Sequence, residues 1–289
     1  MSLRSLATKL LGNLAEKYSK SFLFLKDALL KADLKIPFRS YLSLIFFITL
    51  LTYLSALTLV ITYFFLFKLS FFLLIPYLFF IPLLAASISL IIMIYYPIYK
   101  AAQRSKNIET NLPFVLTHMG AIAETGVPPQ TIFRLISEFE EYGEIAKEMK
   151  KIVRNIETFG MNPLAAVKEV AKRTSNENFK QILLGFVSTT ESGGNVKVFL
   201  KTSGEQALFD WKLKREKFLQ QLSTYAEIYV GVLIAAPLLI ISMFTIMNLI
   251  QPTIGGFDIL FLTKLTTYTV IPALNIGFIL FIKGLEVEI

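Results

Sequence analysis

The chain has no cysteine, one tryptophan and one histidine. Without cysteine there is no disulfide framework, no thiol nucleophile and no thiolate metal site. The single histidine, His118, cannot form a His-Glu-x-x-His set, so the usual zinc signatures are missing too. His118 lies beside an apolar helical stripe, where a core or interfacial histidine is expected. No G-x-x-x-x-G-K-[ST] phosphate loop occurs, so the chain does not carry a P-loop ATPase of its own. Four long runs, 41–67, 69–99, 228–257 and 265–282, contain no Asp, Glu, Lys, Arg or His. Proton and ion pathways leave ionisable groups at membrane depth. Their absence weighs against a proton-coupled transporter, though not against a carrier of neutral solutes.

What is present is mostly apolar. Of 289 residues, 54% are hydrophobic, and the mean hydropathy is +0.60. That composition suits a membrane protein with a soluble part. Each uncharged run is long enough to cross a bilayer, since about 20 apolar helical residues suffice. Only a few residues around Lys68 separate the first two runs, which predicts a helical hairpin. Pro76 and Pro82 are expected to bend the start of its second arm. Pro252, Gly255 and Gly256 mark the exit of the third run. The formal charge is +8, and its placement is informative. Residues 1–40 carry eight Lys and Arg, whereas the two turns expected on the opposite side carry one each, Lys68 and Lys264. Basic residues stay on the cytoplasmic side of a membrane. Both termini and the soluble part are therefore expected inside.

The N-terminal segment is basic and amphipathic. Leu3, Leu6, Leu10, Leu14, Tyr18, Phe22, Leu25 and Leu29 fall on one face of a single ideal helix, with Lys9, Lys17, Lys20 and Lys26 around it. Two readings stand: an interfacial helix on an anionic leaflet, or a helix packed on the soluble bundle or a neighbour.

Residues 112–206 repeat one grammar three times: an apolar-periodic helix, a glycine turn, a second helix. Leu112, Val115, Leu116, Met119 and Ile122 recur at steps of three and four. Gly126 ends that helix, and Pro128 and Pro129 suit the first turn of the next. Ile145, Met149, Ile152 and Ile156 form the next stripe. It breaks at Gly160 and restarts at Asn162, a candidate N-cap, and Pro163. Phe179, Ile182, Leu183 and Phe186 form the third, broken at Ser192-Gly193-Gly194. The pattern predicts about six helices, and by itself it fits a linker bundle equally well. Gly193 and Gly194 open a helix as phosphate sites do. The Lys-Ser/Thr that should follow is missing, so these glycines read as turn punctuation.

Surface charge offers one further site. Lys147, Lys150, Lys151 and Arg154 lie within two turns of the third bundle helix, and Lys168, Lys172 and Arg173 on the fourth. They read either as a solvated or lipid-facing surface, or as a docking surface for an acidic patch on a cytoplasmic partner. Glu138, Glu140 and Glu141 form an acidic turn beside Gly143. Thr245, Asn248 and Asn275 are polar groups within the apolar runs, available to join helices.

This stretch resembles the cytoplasmic domain of the F-family platform proteins of type II secretion, type IV pilus and archaellum machines. The residues carrying the likeness are Leu112-Pro113, Glu124-Thr125-Gly126, Tyr142-Gly143-Glu144, Phe159-Gly160 and Glu191-Ser192-Gly193-Gly194. It covers about residues 112–249, and its Tyr-Gly and Ser-Gly-Gly elements are closest to the archaeal and tight-adherence branches. Many members have two such domains, and this chain has one. The resemblance implies a non-enzymatic platform at the base of a filament, without cofactor or metal. Its implied partners are a hexameric secretion ATPase in the cytoplasm and pilin-like subunits, with a second copy or a paralogous platform subunit as neighbour. No nucleic acid is implied.

The expectation is an all-α membrane protein with four transmembrane helices and a cytoplasmic bundle of about six helices between spans two and three. Its parts are a basic N-terminal segment (1–40), a membrane hairpin (41–99), the helical F-type domain (100–222), and two further spans with a short tail (223–289). The bundle's last helix is expected to run towards the third span as a stiff lever, because no proline interrupts it. The rival readings are a transporter or channel with a cytoplasmic helical regulatory domain, and a membrane-anchored enzyme. A transporter of repeat type should show repeats among its spans, whereas the repeats here lie in the soluble part. No convergent polar site for an enzyme is visible.

Overall fold

The computed structural model describes residues 3–67 and 71–285. Lys68 and residues 286–289 lie outside them, as do the side chains of Leu3, Leu6 and Leu14. Among the described residues, four helices are long and apolar enough to cross a membrane, and the chain is an all-α membrane protein. Contacts divide it into two units, Met1–Phe209 and Asp210–Ile289.

The first unit begins with α1 (Leu3–Tyr18), a 3-10 turn (Ser19–Phe22) and α2 (Leu23–Lys31). The turn resets the helical phase, so the single face expected across residues 3–29 is not continuous. Ala7 and Ala15 are buried on α1, while Leu10 and Tyr18 face outward. On α2, Leu25 and Leu29 are buried. α1 packs against α3 (Phe38–Phe67), and α2 packs against α4 (Phe71–Glu124) and, less, against α3. Ala15, Leu25 and Leu29 form one apolar cluster with Tyr41, Leu42 and Ile45 of α3, flanked by Met93 and Ile94 of α4. Tyr41 Oη donates to Met93 O at 2.7 Å.

α4 is a single helix that leaves its uncharged run and continues into the bundle, with Pro76, Pro82, Pro97 and Pro113 inside it. Proline is tolerated where neighbouring helices and hydroxyl side chains satisfy the freed groups. Its last turns begin the bundle, which continues with α5 (Pro129–Glu138), α6 (Glu144–Glu157), α7 (Pro163–Arg173), α8 (Glu177–Glu191) and the start of α9 (Val196–Ile228).

The core of the bundle is the predicted stripes brought together. Leu112, Val115, Leu116 and Met119 of α4 meet Phe133 and Ile136 of α5, Ile145, Met149 and Ile152 of α6, Val167 of α7, and Phe179, Leu183 and Phe186 of α8. Phe133 and Phe186 cross edge to face with ring centroids 5.1 Å apart. Burying a side chain of this size contributes about 1.5–3 kcal/mol. Ile122, Ile156 and Ile182 are only partly buried against this core. α9 reaches it through Leu200 and Gly204, and a Cβ at Gly204 would stand 3.0 Å from the backbone of Leu116. Only glycine permits so close a helix crossing.

The second unit takes the rest of α9, a π-helical stretch (Tyr229–Ala235) and α10 (Ala236–Ile250). A short antiparallel pair follows, β1 (Thr253–Ile254) and β2 (Phe257–Asp258), turning on Gly255 and Gly256 at φ +58° and +86°. Two positive-φ residues are what a tight hairpin needs. Asp258 then caps α11 (Ile259–Leu265), which passes through a second π-helical stretch (Thr266–Val270) into α12 (Ile271–Leu285). Tyr229 Oη donates to Asn275 Oδ1 at 3.0 Å, and the Tyr229 ring lies 5.2 Å from that of Phe278. Asn275 is thus a helix–helix link within this unit.

Candidate docking surface

Several turns of the bundle use a positive-φ glycine, and three of its helices start at an asparagine cap. Gly126, Gly143, Gly160 and Gly193 all have positive φ, between 57° and 79°. Gly194 does not; there a Cβ would meet Thr189 Cγ2 at 3.0 Å. Asn162 Oδ1 accepts from Leu164 N at 2.9 Å and starts α7. Asn176 Oδ1 accepts from Phe179 N at 2.9 Å and starts α8. Asn195 Oδ1 accepts from Val198 N at 3.2 Å and starts α9. The cap of α6 comes from another element, since Asn107 Oδ1 on α4 accepts from Glu144 N at 2.8 Å.

These caps fix how α6 and α7 present their cations. Lys151 and Arg154 of α6 and Arg173 of α7 line one cavity of about 440 Å³, with Asp33, Lys35, Glu148 and Glu169. Lys168, Lys172 and Arg173 line a neighbouring cleft with Glu169. The two basic groups read from sequence are therefore continuous across α6 and α7. Lys147 and Lys150 line neither hollow.

Most of these cations already have carboxylate partners. Lys147 Nζ is 2.6 Å from Glu144 Oε1, and Lys150 Nζ is 3.3 Å from Glu140 Oε1. Lys168 pairs with Glu191 at 2.7 Å and Arg173 with Glu169 at 2.9 Å. Lys151 bridges Asp33 at 2.9 Å and Glu148 at 3.1 Å. Arg154 stands over the Phe159 ring, 5.9 Å from its centroid. Among the described residues, Arg154 and Lys172 have no ion pair. The acidic turn residues Glu138, Glu140 and Glu141 are all exposed.

Beneath this surface lies a buried charge network that sequence reading missed. Arg104 of α4 is 6% exposed. Its Nε donates to Glu144 Oε2 at 2.6 Å, its Nη2 to Glu148 Oε1 at 2.5 Å, and its Nη1 to the Lys31 carbonyl at 2.6 Å. One guanidinium thus ties α2, α4 and α6 together. Burial opposes ionisation of Glu144, but hydrogen bonds from Lys147 and Arg104 outweigh it and hold its carboxyl below the usual range. Glu148 Oε2 is buried without a hydrogen-bond partner among the described residues. The only sequence signal was Glu144, Glu148 and Lys151 at helical spacing. His118 sits nearby and half-buried, its Nδ1 2.9 Å from Tyr142 Oη and its ring 5.0 Å from that of Phe139.

Residues 115–244 match the family model for the type II secretion system (T2SS), protein F. This stretch is thus similar to an F-family domain. Similar curated proteins are archaeal. A flagella accessory protein J of Methanocaldococcus jannaschii is 25% identical over 190 residues, 65% of this chain and 33% of that protein. Its namesake in Methanococcus voltae is 24% identical over 172 residues, 59% of this chain and 30% of that protein. An uncharacterized protein of M. jannaschii is 24% identical over 201 residues, 68% of this chain and 34% of that protein. The chain thus spans about a third of the length of these relatives. No solved structure matches it.

Within residues 115–244 the four resemblance motifs each have a physical task. Tyr142-Gly143-Glu144 joins three contacts in three residues: Tyr142 to His118, Gly143 at a turn without room for a Cβ, and Glu144 to Arg104. Glu124 precedes the Gly126 turn and pairs with Lys201 of α9 at 2.9 Å. Glu191 precedes the Gly193 turn and pairs with Lys168. Phe159 precedes the Gly160 turn and lies under Arg154.

Proposed function

We propose that the chain is the non-enzymatic membrane platform of a type IV filament or type II secretion assembly machine, archaellum-like or pilus-like. In this reading the bundle receives motion from a hexameric secretion ATPase on its cytoplasmic side. It passes that motion to pilin-like subunits in the membrane. The observation carrying the reading is an F domain built on two helices, α4 and α9, that run on into apolar membrane-length stretches. α4 carries its prolines without ending, and α9 leads through a π-helical stretch into its apolar run, so the helical path from bundle to apolar run is continuous on both. The archaeal relatives' name, flagella accessory protein J, supports a filament over a secreted enzyme. In this reading both termini and the bundle lie in the cytoplasm, on the basic bias of the sequence, with a second copy or a paralogous platform subunit as neighbour.

The ATPase is proposed to dock on the α6–α7 surface, where Lys147, Lys150, Lys151, Arg154, Lys168, Lys172 and Arg173 lie. Arg154 and Lys172 carry most of the steering, because the other five already face carboxylates inside the fold. Charges at an interface rim act mainly on association rate and salt sensitivity. Reversing both, Arg154→Glu and Lys172→Glu, should slow binding of the cognate ATPase about tenfold or more at low salt. The difference should shrink towards 0.15 M, where the Debye length is about 8 Å. Binding kinetics across a salt series test this. Unchanged rates at every salt concentration, in a variant that melts like the parent, move the docking site to the acidic turn at Glu138, Glu140 and Glu141.

A further inference from the structure

Apart from the Tyr18 ring, which meets Phe46, the outer face of α1 and α2 joins neither apolar core among the described residues. The inner face is used: Ala15, Leu25 and Leu29 close the cluster against α3. The outer face nevertheless carries large apolar side chains. Leu10 is 68% exposed, Leu23 57%, Phe24 51% and Tyr18 48%. Between them stand Lys9, Lys17, Lys20 and Lys26, all exposed. None of these four has an ion pair among the described residues. The nearest acid on α1, Glu16, is occupied by Arg39 at 2.9 Å.

The position of this face along α3 and α4 says what covers it. The rings of Tyr18 and Phe22 lie 6.2 and 6.3 Å from that of Phe46. One turn further along α3 the exposed apolar surface begins, with Leu50, Leu51 and Leu54 outward. On α4, Met93 is tied to Tyr41, and Tyr95, Tyr96 and Tyr99 follow it, all exposed. Aromatic side chains collect at the headgroup level of a membrane. The 3-10 turn between α1 and α2 therefore stands where the apolar part of the hairpin starts, with cations on its outer side.

We infer that α1, the turn and the start of α2 form a collar lying in the membrane interface. Leu23 and Phe24 enter the acyl boundary, and Lys17, Lys20 and Lys26 bind the phosphates of anionic lipid headgroups. Apolar side chains interleaved with lysines are what an anionic leaflet takes up, because each lysine gains from the surface potential while the apolar groups leave water. An acidic protein surface could face the same lysines, but the bilayer expected around the apolar lengths of α3 and α4 adjoins this face directly. The collar is independent of where an ATPase docks.

The full chain reconstituted in nanodiscs tests the collar directly. Trp211 is the only tryptophan, so Trp211→Phe gives a dark background in which Phe24→Trp, or Leu23→Trp if the first fails to fold, reports on the site. The reporter should be quenched by lipids brominated high on the acyl chain and shielded from aqueous iodide. Brominated phosphatidylglycerol should quench more than brominated phosphatidylcholine. Replacing Lys17, Lys20 and Lys26 by Gln should remove that preference, by about fivefold per lysine, from roughly 1 kcal/mol for each cation near an anionic surface. A reporter open to iodide and untouched by any lipid overturns the collar. Equal quenching by neutral and anionic lipid, before and after the lysine changes, overturns the headgroup assignment.

Discussion

At the scale of single residues, the glycines separate into two kinds. Gly126 and Gly160 have positive φ, but nothing lies within 4 Å of where a Cβ would stand. Gly143 has positive φ as well, and a Cβ there would be 2.5 Å from Asn107 Oδ1. Replacing Gly126 by Ala should therefore cost only the left-handed strain, about 1 kcal/mol. Gly143→Ala should cost that and more, about 2–3 kcal/mol, because Asn107 must give up the Glu144 amide it caps and leave a donor unsatisfied. Thermal unfolding of the detergent-solubilised chain ranks the two. Equal shifts would mean that the Asn107 cap does not constrain the turn. Arg104 belongs at this scale too. It pairs with Glu144 and Glu148, residues spaced four apart on one helix face. Their spacing is plain in the sequence, but nothing along the chain points to a partner 40 residues away.

At the scale of elements, helix starts were more legible than helix junctions. The Asn-Pro pair at 162–163 marks a cap and a first turn, and Asn162 does cap α7. Asn176 caps α8 without a following proline, and its surroundings differ. It is 4% exposed, and its Nδ2 also donates to the Ser105 carbonyl and hydroxyl at 3.3 Å, joining α8 to α4. Asn162→Ala should cost about 1 kcal/mol, the ordinary loss of a cap. Asn176→Ala should cost about 2–3 kcal/mol, since it also strips a buried link. Urea unfolding of the two variants checks the order, and a milder effect at Asn176 would contradict it. The N-terminal segment shows the limit of periodicity. Eight positions spaced for one helix become two helices, because four residues of 3-10 turn rotate the second by a different phase.

At the scale of the whole molecule, the topology remains a prediction from charge. A native chain without cysteine is a clean background for single labels. Asn178→Cys on α8 and Gln251→Cys after α10 are both exposed positions with negative φ, so neither change strains the backbone. In intact cells an impermeant thiol reagent should label Cys at position 251 and leave the one at 178 unlabelled until the membrane is opened. The reverse pattern would place the F domain outside and remove any role for a cytoplasmic ATPase.

The sequence alone determined the helical class, the four apolar runs and the stripes that fill the bundle core. These follow from local periodicity and from the length needed to cross a bilayer, and both are properties of contiguous residues. The F-family likeness was also readable, because its glycine turns occur in order along the chain. Tertiary structure decided the rest. Which cations are spent on internal carboxylates depends on distances between α4, α6, α7 and α8, and no spacing along one helix reveals them. Whether the N-terminal segment packs or lies free depended on which of its faces met α3. Packing took the alanine and leucine face of that segment. It left the lysines and Phe24 outside, because buried cations without partners cost more than exposed apolar groups.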